Sequence, residues 1–420
     1  MKIEKPRGTR DLSPEEMGKR RFVEGEIVRT FESYNYRPIQ VPTFEHAELF
    51  SLKSGEEIRQ HMYVFRDKSD RELCLRPEAT ASVCRMFVEN FQNTQMPLKF
   101  YYMGPMFRYE RPQKGRYREF WQAGVELIGP SGARSDAEVI SMASKCLENI
   151  GLKFELEVGH LGILRGLMRD LGIGAGKQDE LINAMDKGET ERLENLVEHE
   201  VLLDIIGLNG QKDAVERAKT ILNSYPSALS ALEELSQILS LLDENATSYV
   251  VNMGVARGLE YYTGMVFEIM VNGLGAQSQI CGGGRYDLLI ELFGGKTTPA
   301  VGFAFGFDRV VDAFDEQGIK APEAAVDFVV APVSDEIRKD ADRIASELRK
   351  QGASVDIDLM DRKLGKIMEY AANVNALQVV IVGPKELAKS EVTLRDMKTG
   401  GQENVKIANL KFKIEKRNGK

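Results

Sequence analysis

Residues 101–129 read YYMGPMFRYERPQKGRYREFWQAGVELIG. Two segments of strand-like composition, 99–108 and 120–128, flank a basic loop whose Pro112 and Gly115 carry turn chemistry. This order predicts a strand, a loop and an antiparallel strand. From 99 to 120 the chain carries six Lys/Arg against two acids, within a protein of net charge −8. Because Arg forks match phosphate oxygens, this local positive charge indicates a site for an anion.

The same stretch carries a family resemblance. FRYE at 107–110, the basic loop, and RYREFWQAGVELIG at 116–129 resemble motif 2 of class II aminoacyl-tRNA synthetases, in detail that of histidyl-tRNA synthetases. The resemblance implies ATP binding by Arg108, Glu110 and Arg116, with Arg108 also counted as catalytic. It further implies tRNA contacts by the loop residues Arg111, Gln113 and Lys114. Taken alone, the stretch is also compatible with an ordinary hairpin whose basic loop faces solvent.

Length and composition narrow the class of protein. The chain has 420 residues, 43% of them hydrophobic and 29% charged, which predicts two or three globular domains with ample core. No apolar run approaches the ~18 residues of a membrane span, and the N-terminus lacks the apolar segment of a signal peptide. The four cysteines have no CxxC spacing, and no two of the four histidines are four apart. We therefore expect a cytoplasmic protein with reduced thiols and without a protein-held metal site.

The N-terminal region predicts a helix and a strand. Ser13-Pro14-Glu15-Glu16 supplies a cap, a first-turn Pro and first-turn acids, and apolar residues then recur at helical spacing to Tyr34. Residues 38–42 follow as a short strand ending at a proline. Helix, strand and proline resemble motif 1, which implies a homodimer. An ordinary helix followed by a strand fits the same residues.

Residues 73–77, LCLRP, predict a strand that feeds a helix with Pro77 at its first position. Glu78, Ala79 and Thr80 follow directly. A carboxylate at a helix start can simply complement the helix dipole. In the family that the chain resembles, the equivalent triplet binds histidine, the acid taking the ammonium group; many members have Gly where this chain has Ala79.

The composition changes from 161 to 245, where Leu, Ala and Glu recur at helical spacing. We predict a helical insertion over 161–245 inside a catalytic domain of residues 1–324, as the resemblance also implies. Residues 172–177, GIGAGK, imitate a phosphate loop but lack Walker spacing. We interpret them as a helix stop and connector.

Residues 255–264, VARGLEYYTG, carry the histidine-specific part of the resemblance. It implies a catalytic role for Arg257, which would hold the charge that builds on the α-phosphate, and a histidine-binding role for Tyr261 and Tyr262. A turn with an exposed Arg and two packed tyrosines is the alternative. Further on, residues 277–284 are expected to form a strand that includes the triple glycine 282–284, where the backbone can approach a ligand closely, and GGRYD (283–287) is expected to open a helix.

Residues 300–311, AVGFAFGFDRVV, predict a strand turning into an amphipathic helix. They resemble motif 3, which implies that Arg309 binds the γ-phosphate of ATP. Within motif 2, strand alternation places Gln122 and Glu126 on one face. An acid there suits a ring that donates from nitrogen, and rejects apolar side chains through hydrogen-bond loss.

From residue 325 onward strands and helices alternate, which predicts a separate α/β domain over 325–420 with a partly parallel sheet. Its position and pattern resemble the anticodon-binding domain of class IIa synthetases, with Arg362, Lys363 and Lys366 as candidate RNA contacts. An unrelated α/β ligand domain is the alternative.

The expected fold is therefore an α+β catalytic domain on an antiparallel sheet, with a helical insertion and a C-terminal α/β anticodon-binding domain. The function that the resemblance implies is ATP-dependent ligation of histidine to tRNA(His), through histidyl-adenylate, with Mg²⁺ accompanying ATP. Two alternatives differ in class: a regulatory paralogue of histidine biosynthesis that does not aminoacylate, and a structural RNA-binding module. Neither needs the three separately placed arginines 108, 257 and 309.

Overall fold

The computed structural model describes residues 3–54, 57–110, 116–255, 261–275, 278–322 and 325–410. The chain divides into two compact units, Met1–Ala321 and Pro322–Lys420. Arg257, Arg111, Gln113 and Lys114 lie outside the described residues.

The first unit is built on one large sheet. Its strands, in the order β1-β5-β6-β12-β11-β10-β7-β9-β8, pair antiparallel except for β1 with β5 and β7 with β9. Their bounds are β1 Arg37–Pro38, β5 Leu98–Phe107, β6 Glu119–Ile128, β7 Glu155–His160, β8 Asn209–Gly210, β9 Val250–Asn252, β10 Met265–Met270, β11 Gln279–Arg285 and β12 Ala300–Gly306. A small antiparallel sheet is formed by β2 Phe44–His46, β3 Val64–Arg66 and β4 Glu72–Leu75.

Some helices of this unit pack on the large sheet, three pack together beside the small sheet, and the others lie mostly between residues 161 and 244. Ser13 and Glu16 close a capping box at the start of α1, so the expected cap is present. The bounds are α1 Pro14–Ser33, α2 Ala47–Ser54, α3 Thr80–Asn90, α4 Ala133–Ile150, α5 Leu161–Asp170, α6 Ala175–Asp186, α7 Thr190–Leu196, α8 Glu200–Ile206, α9 Lys212–Ile221, α10 Pro226–Glu244, α11 Leu289–Leu292 and α12 Phe307–Glu316. Among the described residues, no helix has the length and apolar character to cross a membrane.

Strand alternation gives the large sheet two different faces. On one face Phe31 of α1 packs against Tyr101 and Phe303, and this side is filled by apolar side chains. On the other face the register aligns Gly104 with Gln122 and Gly306, Tyr102 with Gly124 and Ala304, and Glu126 with Gly302 and then Gly284. Directly opposed residues share a face. The second face is therefore a floor of small residues bordered by a few polar ones; we call it the ligand face.

The second unit is an α/β domain. Its five strands run in the order β14-β13-β15-β16-β17, with the first three parallel and the last two antiparallel to their neighbours. Helix α13 packs with Val330 on one side of the sheet, and α14 packs with Val329 and Ala331 on the other. The bounds are β13 Phe328–Pro332, α13 Arg338–Lys350, β14 Val355–Ile357, α14 Leu364–Asn373, β15 Gln378–Val382, α15 Pro384–Leu387, β16 Glu391–Asp396 and β17 Gln402–Lys406.

The expected fold class is confirmed: an α+β unit on an antiparallel-rich sheet, followed by a separate α/β domain. Two local predictions are wrong. GGRYD at 283–287 does not open a helix, because β11 continues to Arg285 and the next helix is Leu289–Leu292. Pro77 is not the first residue of a helix, because α3 begins at Thr80.

Candidate functional site

The basic loop of residues 101–129 is anchored at its base. Arg108 N donates to Arg118 O at 3.0 Å, which closes the hairpin between β5 and β6. Arg118 Nε donates to Glu110 O at 3.2 Å, and the Arg118 guanidinium lies 4.1 Å from the centre of the Tyr109 ring. Both arms of the loop are thus fixed where they leave the sheet, and their side chains emerge over the ligand face.

A cleft of about 220 Å³ opens beside these arms. It brings together five of the predicted site residues, which come from both arms of the hairpin and from α12: Arg108, Glu110, Arg116, Gln122 and Arg309. Its floor includes Gly282, Ala304 and Gly306. Without side chains of any size, this floor lets a flat ligand lie against the sheet. We call this region the arginine cleft.

Three guanidinium groups converge on the arginine cleft. The pKa of Arg309 is lowered by burial and then by the positive charges of Arg116 and Arg108. Arg108 Nε donates to Pro77 O at 3.0 Å, and Arg309 Nη1 donates to Gln279 O at 2.8 Å. These bonds to backbone carbonyls fix two side chains without neutralising them. The positive charge of the cleft is therefore only partly balanced by the protein, which is an arrangement suited to binding an anion.

Carboxylates lie at the rim of the cleft. Glu110 Oε2 lies 3.7 Å from Arg116 Nε. Asp308 is 3% exposed, and its two oxygens accept from Arg10, Arg20 and the backbone N–H of Trp121. Among the described residues, no group of three or more His, Cys, Asp or Glu is arranged to hold a metal ion.

A buried cluster of tyrosines lies further along the same face, around Glu126, which is 1% exposed. The hydroxyl of Tyr286 donates to Glu126 Oε2. Tyr102 of β5 is paired with Gly124, two positions before Glu126 on β6, and so lies on the same face. The pKa of each tyrosine is raised well above its usual range, first by burial and then by the charge of Glu126. Both phenols stay protonated, and the buried carboxyl group of Glu126 is the acidic centre of this region, which we call the acidic pocket.

Tyr261 and Tyr262 line one side of the acidic pocket. Their ring centroids are 4.6 Å apart, and the Tyr261 ring meets Tyr286 edge-on at 5.8 Å. Tyr262 lies directly over Gly284, where a Cβ would come within 2.8 Å of its ring. At Gly302, a Cβ would come within 2.1 Å of Glu126 Oε2. Glycine is thus required at these strand positions so that a tyrosine and a carboxylate can rest on the sheet.

Glu78 and Thr80 lie at the start of α3. The Glu78 oxygens accept from Thr80 N at 2.6 Å and Ala81 N at 3.2 Å, so this buried carboxylate caps the helix. This bonding explains why α3 begins at Thr80. Thr80 also bonds the Tyr102 side chain, and Glu78 acts on the pKa of Tyr102. Glu78 therefore adjoins the acidic pocket as well as serving the helix, while Ala79 is fully buried.

Gln122 lies on the ligand face two residues from Gly124 and four from Glu126. Its Oε1 atom is buried and has no hydrogen-bond partner among the described residues. A buried acceptor without a donor costs free energy that a bound donor recovers. Because Gln122 also lines the arginine cleft, it marks the junction of the two regions.

Sequence reasoning missed three residues of this site: Tyr286, Tyr102 and Asp308. Tyr286 continues the alternation of Gly282 and Gly284, and this pattern is the signal that could have placed it on the ligand face. Tyr102 alternates with Gly104 in the same way. Nothing in the sequence pairs Asp308 with Arg10, which lies 298 positions earlier.

Comparison with known proteins identifies relatives over nearly the whole chain. The family described as "Histidyl-tRNA synthetase" matches residues 8–310, and the family described as "Anticodon binding domain" matches residues 327–417. The histidine–tRNA ligase of Archaeoglobus fulgidus is 46% identical, and that of Methanocaldococcus jannaschii 44%, each over 97% of this chain and 98% of the relative. The solved histidyl-tRNA synthetase of S. aureus, in its apo form, is 30% identical with a TM-score of 0.77, covering 97% of this chain and 98% of that one.

Proposed function

This chain belongs to the histidyl-tRNA synthetase family, and from that premise we propose how its two pockets divide the chemistry. The protein is a histidine–tRNA ligase: it activates L-histidine with ATP to histidyl-adenylate and transfers the histidyl group to the 3′ end of tRNA(His). The observation that carries the division of roles is that one sheet face holds an arginine cleft beside an acidic pocket.

ATP occupies the arginine cleft. Arg309 takes the γ-phosphate, Arg108 takes the α-phosphate together with the carboxylate of histidine, and Arg116 adds a third positive charge. Glu110 accepts from the adenine amino group. The support is the mutual repulsion of the three guanidinium groups, which a polyphosphate relieves. Arg257, which lies outside the described residues, completes the set at the α-phosphate.

Magnesium enters with ATP and is held mainly by the phosphates. Mg²⁺ commonly keeps several waters and takes one or two carboxylates besides phosphate oxygens. Asp308 already accepts from two arginines and a backbone N–H, so it is poorly suited to a metal ion. Glu110 is given to the adenine amino group, so we assign Mg²⁺ no protein ligand in the cleft.

Histidine occupies the acidic pocket. Glu126 accepts from the imidazole ring, Gln122 accepts from a second donor of the amino acid, and Tyr261 and Tyr262 pack around it. Glu78 and Thr80 hold the ammonium group, with Ala79 between them. A purely apolar side chain would leave Glu126 and Gln122 without donors, which is an efficient means of rejection.

Adenylation needs positioning rather than a base. A carboxylate oxygen of histidine forms the bond to the α-phosphorus while the bond to the bridging oxygen breaks, and pyrophosphate leaves. The nucleophile is already an anion, so no proton has to be removed. Fixed positive charge at the α-phosphate stabilises the transition state, and each preorganised donor of this kind contributes about 2.7–4 kcal/mol.

Other expectations concern partners. We propose that Arg111, Gln113 and Lys114, which lie outside the described residues, contact the acceptor end of tRNA, and that Arg362, Lys363 and Lys366 contact RNA in the tail domain. We also propose a homodimer, in line with the resemblance of α1 and β1 to motif 1, and a cytoplasmic location. All four cysteines are buried free thiols, which suits a reducing compartment.

The regulatory alternative is not better supported. A paralogue that does not aminoacylate needs neither a cleft with Arg108, Arg116 and Arg309 nor a tail that matches the anticodon-binding family. Amino-acid-dependent ATP–pyrophosphate exchange, measured with each of the twenty amino acids, tests the proposal. Exchange with histidine alone is expected; no exchange with histidine would overturn it.

A further inference from the structure

The return arm of the basic loop is held by the N-terminus of the chain. Residues 6–10, which we call the N-terminal strap, turn at Gly8, whose φ is +86°. Arg118 N donates to Gly8 O at 2.8 Å. A Cβ at Gly8 would come within 2.7 Å of Arg118 Cγ, so strap and arm are in close contact.

Arg10 makes the second connection of the strap. Its guanidinium lies 3.6 Å from the centre of the Tyr117 ring, and its Nη2 lies 2.5 Å from Asp308 Oδ1. The other Asp308 oxygen accepts from Trp121 N at 2.7 Å. Arg10 and Asp308 therefore join the strap, the return arm and α12 through one buried carboxylate.

The chain neighbours of these residues are the ATP ligands of the proposed function. Tyr117 follows Arg116 in the chain, and Asp308 precedes Arg309. The two arginines come from different elements, and their separation depends on how the return arm sits against the first turn of α12. The planar guanidinium group of Arg10 stacks on Tyr117 of the return arm and bonds Asp308 of α12. It can therefore fix the distance between Arg116 and Arg309.

We propose that Arg10 is a positioning residue for ATP, which holds Arg116 and Arg309 at the spacing that the triphosphate requires. The inference rests on the proposed ATP site in the arginine cleft. Arg20 also donates to Asp308 Oδ1, so removal of Arg10 leaves this carboxylate paired. The effect of losing Arg10 should accordingly fall on ATP binding rather than on folding.

The chain contains a single tryptophan, Trp121, which lines the cleft and bonds Asp308. Its fluorescence therefore reports directly on this junction. We expect ATP titration of Arg10→Ala to give a Kd raised about tenfold, which corresponds to the loss of about one charge-assisted hydrogen bond to phosphate. KM for histidine in pyrophosphate exchange and the Tm should stay at wild-type values. Arg7→Ala, an exposed arginine three residues away, is the matched control and should bind ATP like the wild type.

An ATP Kd within twofold of the wild type in Arg10→Ala would overturn the inference. So would a parallel loss of ATP affinity, histidine affinity and Tm, or an equal effect of Arg7→Ala. Should the alanine variant fail to fold, Arg10→Lys takes its place: a selective rise in the ATP Kd supports the inference and an unchanged Kd overturns it. A wild type that does not bind ATP or exchange with histidine would instead refute the proposed function itself.

Discussion

The acidic pocket and the arginine cleft share one sheet face but are built on opposite electrostatic plans. In the acidic pocket, one buried carboxylate is bonded by a phenol that burial keeps protonated. In the arginine cleft, three like charges face one another, and burial with mutual repulsion lowers the pKa of Arg309. In the acidic pocket, a hydrogen bond from the protein stabilises the carboxyl group. In the arginine cleft, the repulsion between the guanidinium groups is relieved only when an anion binds.

In the mechanism that we propose, this contrast assigns specificity to the acidic pocket and rate to the arginine cleft. A carboxylate fixed against Tyr286 and Gly302 cannot move to suit another side chain, so it discriminates among amino acids. Arg108 and Arg309 each donate one hydrogen bond to a backbone carbonyl, that of Pro77 and that of Gln279 respectively. Such bonds orient the guanidinium groups and leave their charge for the phosphates.

The largest expected effect comes from the acidic pocket. Glu126→Gln keeps the size of the side chain and an acceptor for Tyr286 but removes the charge and presents an amide N–H to the imidazole ring. We expect kcat/KM for histidine to fall roughly 10³-fold, because an unpaired buried donor opposes binding. The ATP Kd from Trp121 fluorescence should not change. Pyrophosphate exchange at saturating ATP measures the first quantity.

Glu119→Gln is the control for this substitution, because Glu119 lies on the same strand with an exposed side chain. It should retain wild-type kinetics. If Glu126→Gln kept kcat/KM for histidine within tenfold of the wild type, the acidic pocket could not be the region that recognises histidine.

The next effect tests the charge of the arginine cleft. Arg309→Met removes one of three repelling charges, so we expect a Tm equal to or above that of the wild type. Activity should move the other way, with kcat/KM for ATP lowered about 10²-fold, in line with the roughly 2.7–4 kcal/mol of a preorganised donor. Loss of activity with retained stability is typical of a site that stores unfavourable charge for function. Thermal unfolding and exchange kinetics give the two readings.

Arg21→Met on α1 is the matched control, since Arg21 is exposed. It should change neither quantity. A clear drop in Tm for Arg309→Met would show that Arg309 stabilises the ligand-free fold, and the contrast between the two regions would then be wrong.

The sequence predicted those parts of the site that depend on local pattern. Alternation along β5 and β6 predicted the hairpin and placed Gln122 and Glu126 on one face, because strand geometry has a period of two. Cap residues predicted the start of α1 for a similar reason: the bonds involved lie within one helical turn.

What the sequence could not predict depends on contacts between distant residues. The glycines of GGRYD at 283–287 were expected to open a helix. In the structure they remain in β11 because Tyr262 and Phe303 fill the space above and below them. In the sequence, Tyr286 and Tyr102 cannot be told apart from ordinary core residues. Their position near Glu126 depends on the register of β5, β6, β12 and β11. The helix start at Thr80 likewise depends on a side chain, that of Glu78.

The smallest expected effect compares two glycines of the same strand, β12. In Gly302→Ala the new methyl group would lie within 2.1 Å of Glu126 Oε2 and 2.3 Å of Val125 O, neither of which can move far. In Gly306→Ala the nearest described atom is Arg309 Cδ at 3.4 Å, in a flexible side chain. We expect Gly302→Ala to lose about 1–3 kcal/mol of unfolding free energy through overpacking, and to raise KM for histidine.

Gly306→Ala should leave KM for histidine unchanged and raise KM for ATP by no more than a few-fold, because Arg309 can shift by a few tenths of an ångström. Denaturant unfolding and exchange kinetics on the two variants make the comparison. Both variants add one methyl group to the same strand. Gly302→Ala tests whether the acidic pocket is rigid, and Gly306→Ala tests whether the arginine cleft can adapt. Equal effects on both substrates from both variants would mean that the ligand face responds as a single surface, and the acidic pocket would then have no rigidity of its own to account for its selectivity.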